Sequence, residues 1–177
     1  MSTSPHTPLT RRAHLRSLGQ IGVGVMGVGL LGATLRMPDA HAAEKSLPVV
    51  DALPEALAKA MAKREPLVVM VSLHGCAFCK VVRENHLWPM QAEGLQVVQI
   101  DMRQARSIVD FNGQSISHDQ WVRQREIRLA PTVLFFGRDG QEVAARLKGA
   151  YLPDFYGAYL DEQLALARRA VQKQWGT

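Results

Sequence analysis

Leu67-Val68-Val69-Met70-Val71-Ser72-Leu73-His74-Gly75-Cys76-Ala77-Phe78-Cys79-Lys80 is the segment around which the rest of the chain can be arranged. From Leu67 to Leu73 it is apolar except for Ser72 and rich in branched side chains. That is the composition of a strand covered on both faces, so a central position in a sheet is expected. His74-Gly75 then turns the chain, and Cys76 to about Leu87 has helical composition until Trp88-Pro89 ends or kinks the element. Two cysteines therefore open a helix directly after a buried strand.

On the N-terminal side, Leu53, Ala56, Leu57, Ala60 and Met61 recur at helical spacing, and Glu65-Pro66 stops that helix. On the C-terminal side, Gly94 breaks the chain and Leu95 to Met102 reads as a second strand. The resulting β-α-β unit should have parallel strands and a right-handed crossover. Arg103 to Leu129 is the least regular stretch, with a turn at Asn112-Gly113 and a short helix from Ser117 to Ile127 capped by Ser117 or Asp119. Thr132 to Phe136 and Glu142 to Leu147 flank Arg138-Asp139-Gly140 as an antiparallel hairpin. From Pro153-Asp154, Tyr156, Tyr159, Leu160, Leu164, Ala167 and Val171 mark one face of a closing helix. An α/β fold with a mixed central sheet and helices on both faces is expected for residues 51–177, in one domain.

The first 42 residues read differently. Arg11-Arg12 and Leu15-Arg16 precede a Gly-rich apolar run from Leu18 to Leu35, and Ala40-His41-Ala42 supplies a small-x-small cleavage pattern. This fits a twin-arginine export signal, with residues 43–50 as a linker and the periplasm as destination; an uncleaved segment would instead anchor the chain in a membrane. Loss of Arg11, Arg12, Arg16, Arg36 and Asp39 lowers the formal charge from +5 to about +2. A nucleic-acid partner is not expected, because Asp119 and Glu126 interrupt the Arg123, Arg125, Arg128 cluster, which reads as a solvated helix face.

Both cysteines of the chain lie in one Cys-x-x-Cys. Closing so short a loop adds little stability, which suits reversible chemistry better than a structural staple. Cys76 sits where unpaired amides and the helix dipole favour the thiolate, so it is the expected nucleophile; Cys79, deeper in the first turn, is the expected resolving thiol. A zinc centre would need four ligands, and only His74 and His86 lie near the pair in sequence. Covalent haem attachment would need histidine where Lys80 stands. No metal and no cofactor is assigned.

Strand, Cys-x-x-Cys-Lys at a helix start, strand, then Ala130-Pro131-Thr132 leading into a hairpin and a last helix is similar to the thioredoxin family over residues 51–173. The resemblance implies a cis peptide at Pro131 beside the dithiol, with Ala130 offering its backbone to an extended substrate; Gly75 is a further candidate for substrate contact, and Phe78 either packs or offers partners an apolar rim. Gly75-Cys76-Ala77-Phe78-Cys79-Lys80, the Val97 to Asp101 strand, Asp110-Phe111-Asn112-Gly113 and the Phe135 to Gly140 hairpin resemble SoxW-type periplasmic thioredoxins. That likeness implies action on disulfides of exported proteins and re-reduction by a membrane electron carrier of the DsbD or CcdA kind; separately, a monomer is expected. Gly75 stands where the family usually has an aromatic residue, and Met70 replaces its buried acid. The usual proton acceptor for Cys79 is thus missing, and His74, or a water near it, is a candidate substitute; an exposed loop histidine is the alternative. A different class of answer is a binding or assembly module whose cysteines hold a metal or a permanent bridge.

Overall fold

The computed structural model describes residues 45–150 and 153–176, so the expected export segment at 1–42 lies outside the described residues. Helix α1 (Leu53–Ala62) begins with Pro54 in its first turn, where a missing N–H costs nothing, and buries Leu53, Ala56 and Ala60. Strand β1 (Leu67–Ser72) is buried along its whole length. Helix α2 (Ala77–Val82) runs on through a π-turn at Arg83–Leu87 into α3 (Trp88–Ala92). Pro89 has no N–H for the carbonyl four residues back, and the Trp88 N–H reaches instead to Arg83. Trp88-Pro89 therefore widens this helix without ending it.

Strand β2 (Val97–Asp101) pairs parallel with β1, as the β-α-β reading requires. Strands β3 (Ser107–Val109) and β4 (Ser115–Ser117) form a small antiparallel hairpin in the stretch where the sequence showed only a turn. Helix α4 (His118–Gln124) is capped by Ser117, whose hydroxyl accepts the Gln120 N–H while the Gln120 side chain accepts the Ser117 N–H. Strand β5 (Thr132–Phe136) lies antiparallel to β1, giving with β6 (Leu147–Lys148) the order β2-β1-β5-β6 in a mixed sheet. Helix α5 (Pro153–Lys173) closes the fold.

Alternation along the strands divides the core in two. Val68, Met70, Val97, Val133 and Phe135 face α2, α3 and α5, whereas Leu67, Val69, Val71, Val98, Ile100, Leu134 and Phe136 face α1 and α4. Each such fully buried side chain contributes about 1.5–3 kcal/mol relative to exposure.

Three expectations need correction. Residues 45–50 are no free linker: Leu47 and Val50 are buried, the Gln99 N–H donates to the Pro48 carbonyl at 2.8 Å, and the Val50 N–H donates to the Gln99 carbonyl at 3.1 Å. Apolar residues at two of these positions bring the segment onto the edge of β2. The return strand of the hairpin is also broken, since two residues separate Val133 from Phe136 but four separate Glu142 from Leu147 across matching pairs. Arg146 lies in the looped-out part, where its guanidinium donates to the Glu142 carboxylate and to the Arg125 carbonyl. Finally, Arg125 is not on a solvated face: it is half-buried, with its guanidinium 4.6 Å from the Trp121 ring centre and 5.0 Å from that of Phe136.

His118, fully buried at the start of α4, accepts the Asp101 N–H at Nδ1 (3.1 Å) and faces the Val50 carbonyl with Nε2 (3.3 Å). That arrangement needs the neutral ring protonated on Nε2 alone. Burial holds the His118 pKa below its ordinary 6.5, so between these values the unfolded chain binds a proton that the native state refuses. Stability is therefore expected to be retained above pH 6.5 and to fall as the pH drops below it. Urea midpoints at neutral and mildly acidic pH, compared with those of His118→Gln, measure this; an equal acid loss in both proteins would assign the effect elsewhere.

Candidate active site

Cys76 is the N-cap of α2, in extended backbone conformation (φ −81°, ψ 108°), at the carboxyl end of the central strand. The Cys79 N–H points at Cys76 Sγ across 3.1 Å. An amide donor at a helix start is what favours negative charge on that sulfur when it is reduced. The two cysteines are joined as a disulfide, with Cα atoms 5.2 Å apart. Cys76 is half-buried, whereas Cys79 is fully buried among apolar residues that include Met70, Val82 and Leu87. One sulfur is thus reachable and the other is not.

Gly75 approaches Cys76 with φ +73°, a left-handed conformation that disfavours other residues, and no atom lies within 4 Å of the position its Cβ would take. Glycine here serves the turn, and a side chain at this position would point into open space. The Ala130–Pro131 peptide is cis, and the Ala130 carbonyl oxygen lies 3.9 Å from Cys76 Sγ. Gly75, Cys76, Cys79, Ala130 and Pro131, from separate parts of the sequence, therefore meet at one point. Phe78 projects outward and is 57% exposed, so it does not pack into the core.

His74 is exposed and lines a cleft of about 440 Å³ beside Cys76, together with Gly75, Ala77, Lys80 and Gln104. Deeper in that cleft lie Ser72, Arg83, Gln99 and Asp101, which the sequence reading did not single out. Arg83 donates from Nε to Gln99 Oε1 (3.0 Å) and from Nη2 to Ser72 Oγ (3.2 Å), and Gln99 Nε2 donates to Asp101 Oδ1 (2.7 Å). The available signal was Gln99 itself, a polar residue inside a buried strand. Lys80 and Arg83 lie four and seven residues after Cys76 and so share its side of the helix.

A dithiol at a strand-to-helix turn beside a cis-proline, in a mixed sheet covered on both faces, defines a protein of the thioredoxin fold. Residues 53–164 match the family described as Thioredoxin-like domain, and the chain belongs to that family. Among solved structures it is similar to thioredoxin O2 of Arabidopsis thaliana (16% identity, 67% of this chain and 96% of the other covered, TM-score 0.41). It is also similar to mitochondrial thioredoxin 3 of Saccharomyces cerevisiae (20%, 67% and 93%, TM-score 0.42). A thioredoxin from Thermus thermophilus is a third (20%, 68% and 86%, TM-score 0.44). No curated protein matches the chain. No helix among the described residues is long and apolar enough to cross a membrane.

Proposed function

We propose that this protein is an exported thiol:disulfide oxidoreductase that reduces disulfides of cell-envelope proteins through Cys76 and Cys79. The observation that carries the reading is the asymmetry of the pair: Cys76 is reachable and faces the Cys79 N–H, while Cys79 is fully buried one turn behind it. In the reduced protein the Cys76 thiolate attacks a substrate sulfur, breaking the substrate S–S bond and forming a mixed disulfide. Cys79 then attacks Cys76 Sγ, releasing the second substrate thiol and closing the internal bridge. Ala130 would meet the backbone of an extended substrate, with Pro131 holding that carbonyl toward the sulfur and Gly75 and Phe78 bordering the approach.

Two electrons leave the dithiol in each cycle, so a donor must return them; a membrane carrier of the DsbD or CcdA kind fills that role in the SoxW-type reading. Periplasmic location by the twin-arginine route rests on residues 1–42 alone. His74, or a water near it, is the candidate proton acceptor for Cys79; His74 lines the cleft beside Cys76, whereas Cys79 is buried behind that sulfur.

The test is trapping. A Cys79→Ser variant expressed with the full chain is expected to accumulate mixed disulfides with envelope proteins, resolved by reductant and absent from the Cys76→Ser, Cys79→Ser double variant. A wild-type protein that neither reduces insulin nor yields trapped partners would favour a non-catalytic docking module with a permanent bridge. In the same assay, His74→Ala should shift the pH profile of reduction; an unchanged profile removes histidine from proton transfer.

A further inference from the structure

The cleft beside Cys76 carries two charges that have no counter-ion among the described residues. Arg83, half-buried, spends two of its guanidinium N–H groups on neutral acceptors, Gln99 Oε1 and Ser72 Oγ, and forms no ion pair with any described residue. Asp101 takes one hydrogen bond, from Gln99 Nε2 to Oδ1, and likewise has no cationic partner among the described residues. Gln99 is 9% exposed and bridges the two, so cation and carboxylate are held apart by an oriented amide instead of neutralising each other. Both line the same cleft as Cys76, as does the exposed Lys80, which faces the Glu84 carboxylate across 4.0 Å. A partly buried charge is costly unless something compensates it, and a guanidinium with free N–H groups is the usual partner of a carboxylate. Arg83 is also the first residue of the π-turn, a local distortion of a kind frequent at functional sites.

We propose that this cleft is a substrate subsite for small zwitterionic disulfides of the amino-acid type. Arg83, with Lys80, binds the substrate's α-carboxylate, Asp101 binds its α-ammonium group, and the disulfide lies toward Cys76. The inference rests on the thiol-exchange reading above and adds a substrate class to it. A volume of about 440 Å³ is ample for one half of such a molecule with water. The Cys76 thiolate attacks the nearer sulfur; the substrate S–S bond breaks and one half leaves as a thiolate that takes a proton from solvent. Cys79, having given its proton to solvent, then attacks Cys76 Sγ as a thiolate and displaces the second half as a thiolate, which takes up a proton from solvent in turn. The substrate gains two electrons, the dithiol loses two, and the Cys76–Cys79 bridge forms.

The experiment follows single-turnover oxidation of the pre-reduced full chain by four disulfides. These are cystine, cystamine (no carboxylate), 3,3′-dithiodipropionate (no ammonium) and neutral bis(2-hydroxyethyl) disulfide. Wild type is expected to react with cystine about tenfold faster than with cystamine, the scale of one charge-assisted hydrogen-bonded pair. In Arg83→Met the ratio of the cystine rate constant to that of the neutral disulfide should fall about tenfold, with partial recovery in Arg83→Lys. Asp101→Asn should lower the ratio of cystine to dithiodipropionate. Equal wild-type rates on all four, or a cystine-to-neutral ratio unmoved in Arg83→Met, would overturn the subsite while leaving thiol exchange intact. A reduced wild type that none of the four oxidises would overturn the exchange reading itself.

Discussion

Replacing Cys76 by serine is expected to lower disulfide reduction by more than about 10³-fold, because a hydroxyl neither ionises near neutrality nor forms a bond to sulfur that can be exchanged. The loss should be chemical and not structural. Cys76 is the N-cap of α2, a position that serine fills well, and its hydroxyl can accept the same Cys79 N–H. Only the short ring of residues 76–79 is given up, and such a ring contributes little to folding. The melting temperature of Cys76→Ser should accordingly stay within a few degrees of that of the reduced wild type. Insulin reduction, followed by turbidity with thermal melts alongside, checks both halves; retention of a tenth of the wild-type rate would show that Cys76 is not the attacking sulfur.

The second large effect lies on the opposite face of the sheet. Phe136 is fully buried on β5, with its ring centre 4.9 Å from that of Phe111 and 6.2 Å from that of Trp121, and with the Arg125 guanidinium 5.0 Å away. Phe136→Ala removes an aromatic ring from a cluster that cannot easily collapse, since its neighbours are held separately on α4 and its C-cap and on the turn after β3. A destabilisation of about 3–5 kcal/mol is expected, or a fall in melting temperature of roughly 10–20 °C. The same truncation at exposed Phe78 should cost less than about 0.5 kcal/mol. Urea denaturation of the two variants measures the contrast, and a Phe136→Ala loss under 1.5 kcal/mol would refute the packing argument.

Much of the fold was legible because periodicity reports burial. The run Leu67 to Leu73, short and rich in branched side chains, carries the mark of a strand covered on both faces, and helical spacing in residues 53–61 and 156–171 marked two faces that needed a sheet. The dithiol was legible for a different reason, since two cysteines three apart at a strand-to-helix turn leave few chemical alternatives. What stayed hidden depends on long-range partners. The β3–β4 hairpin has three residues per strand, too few for a pattern, and Arg125 looks solvated until Phe111 and Phe136 from distant segments join Trp121 of its own helix around it. Arg83, Gln99 and Asp101 line one cleft only because the fold brings the π-turn after α2 against β2. The π-turn depends on Pro89, whose sequence signature is equally that of a helix stop.

The strap at 48–50 has a consequence for how the sheet meets other molecules. A border strand exposes a row of unpaired amides and carbonyls that invites other chains to add on. On β2 this row is occupied at Gln99 by Pro48 and Val50, and at Asp101 the histidine ring of residue 118 stands in for a neighbouring strand. The far border, β6, is two residues long and interrupted by a bulge. Both margins are thereby blunted against polymerisation, and a chain trimmed to begin at Asp51 would uncover one of them and become prone to aggregate at concentrations where the longer chain stays dispersed.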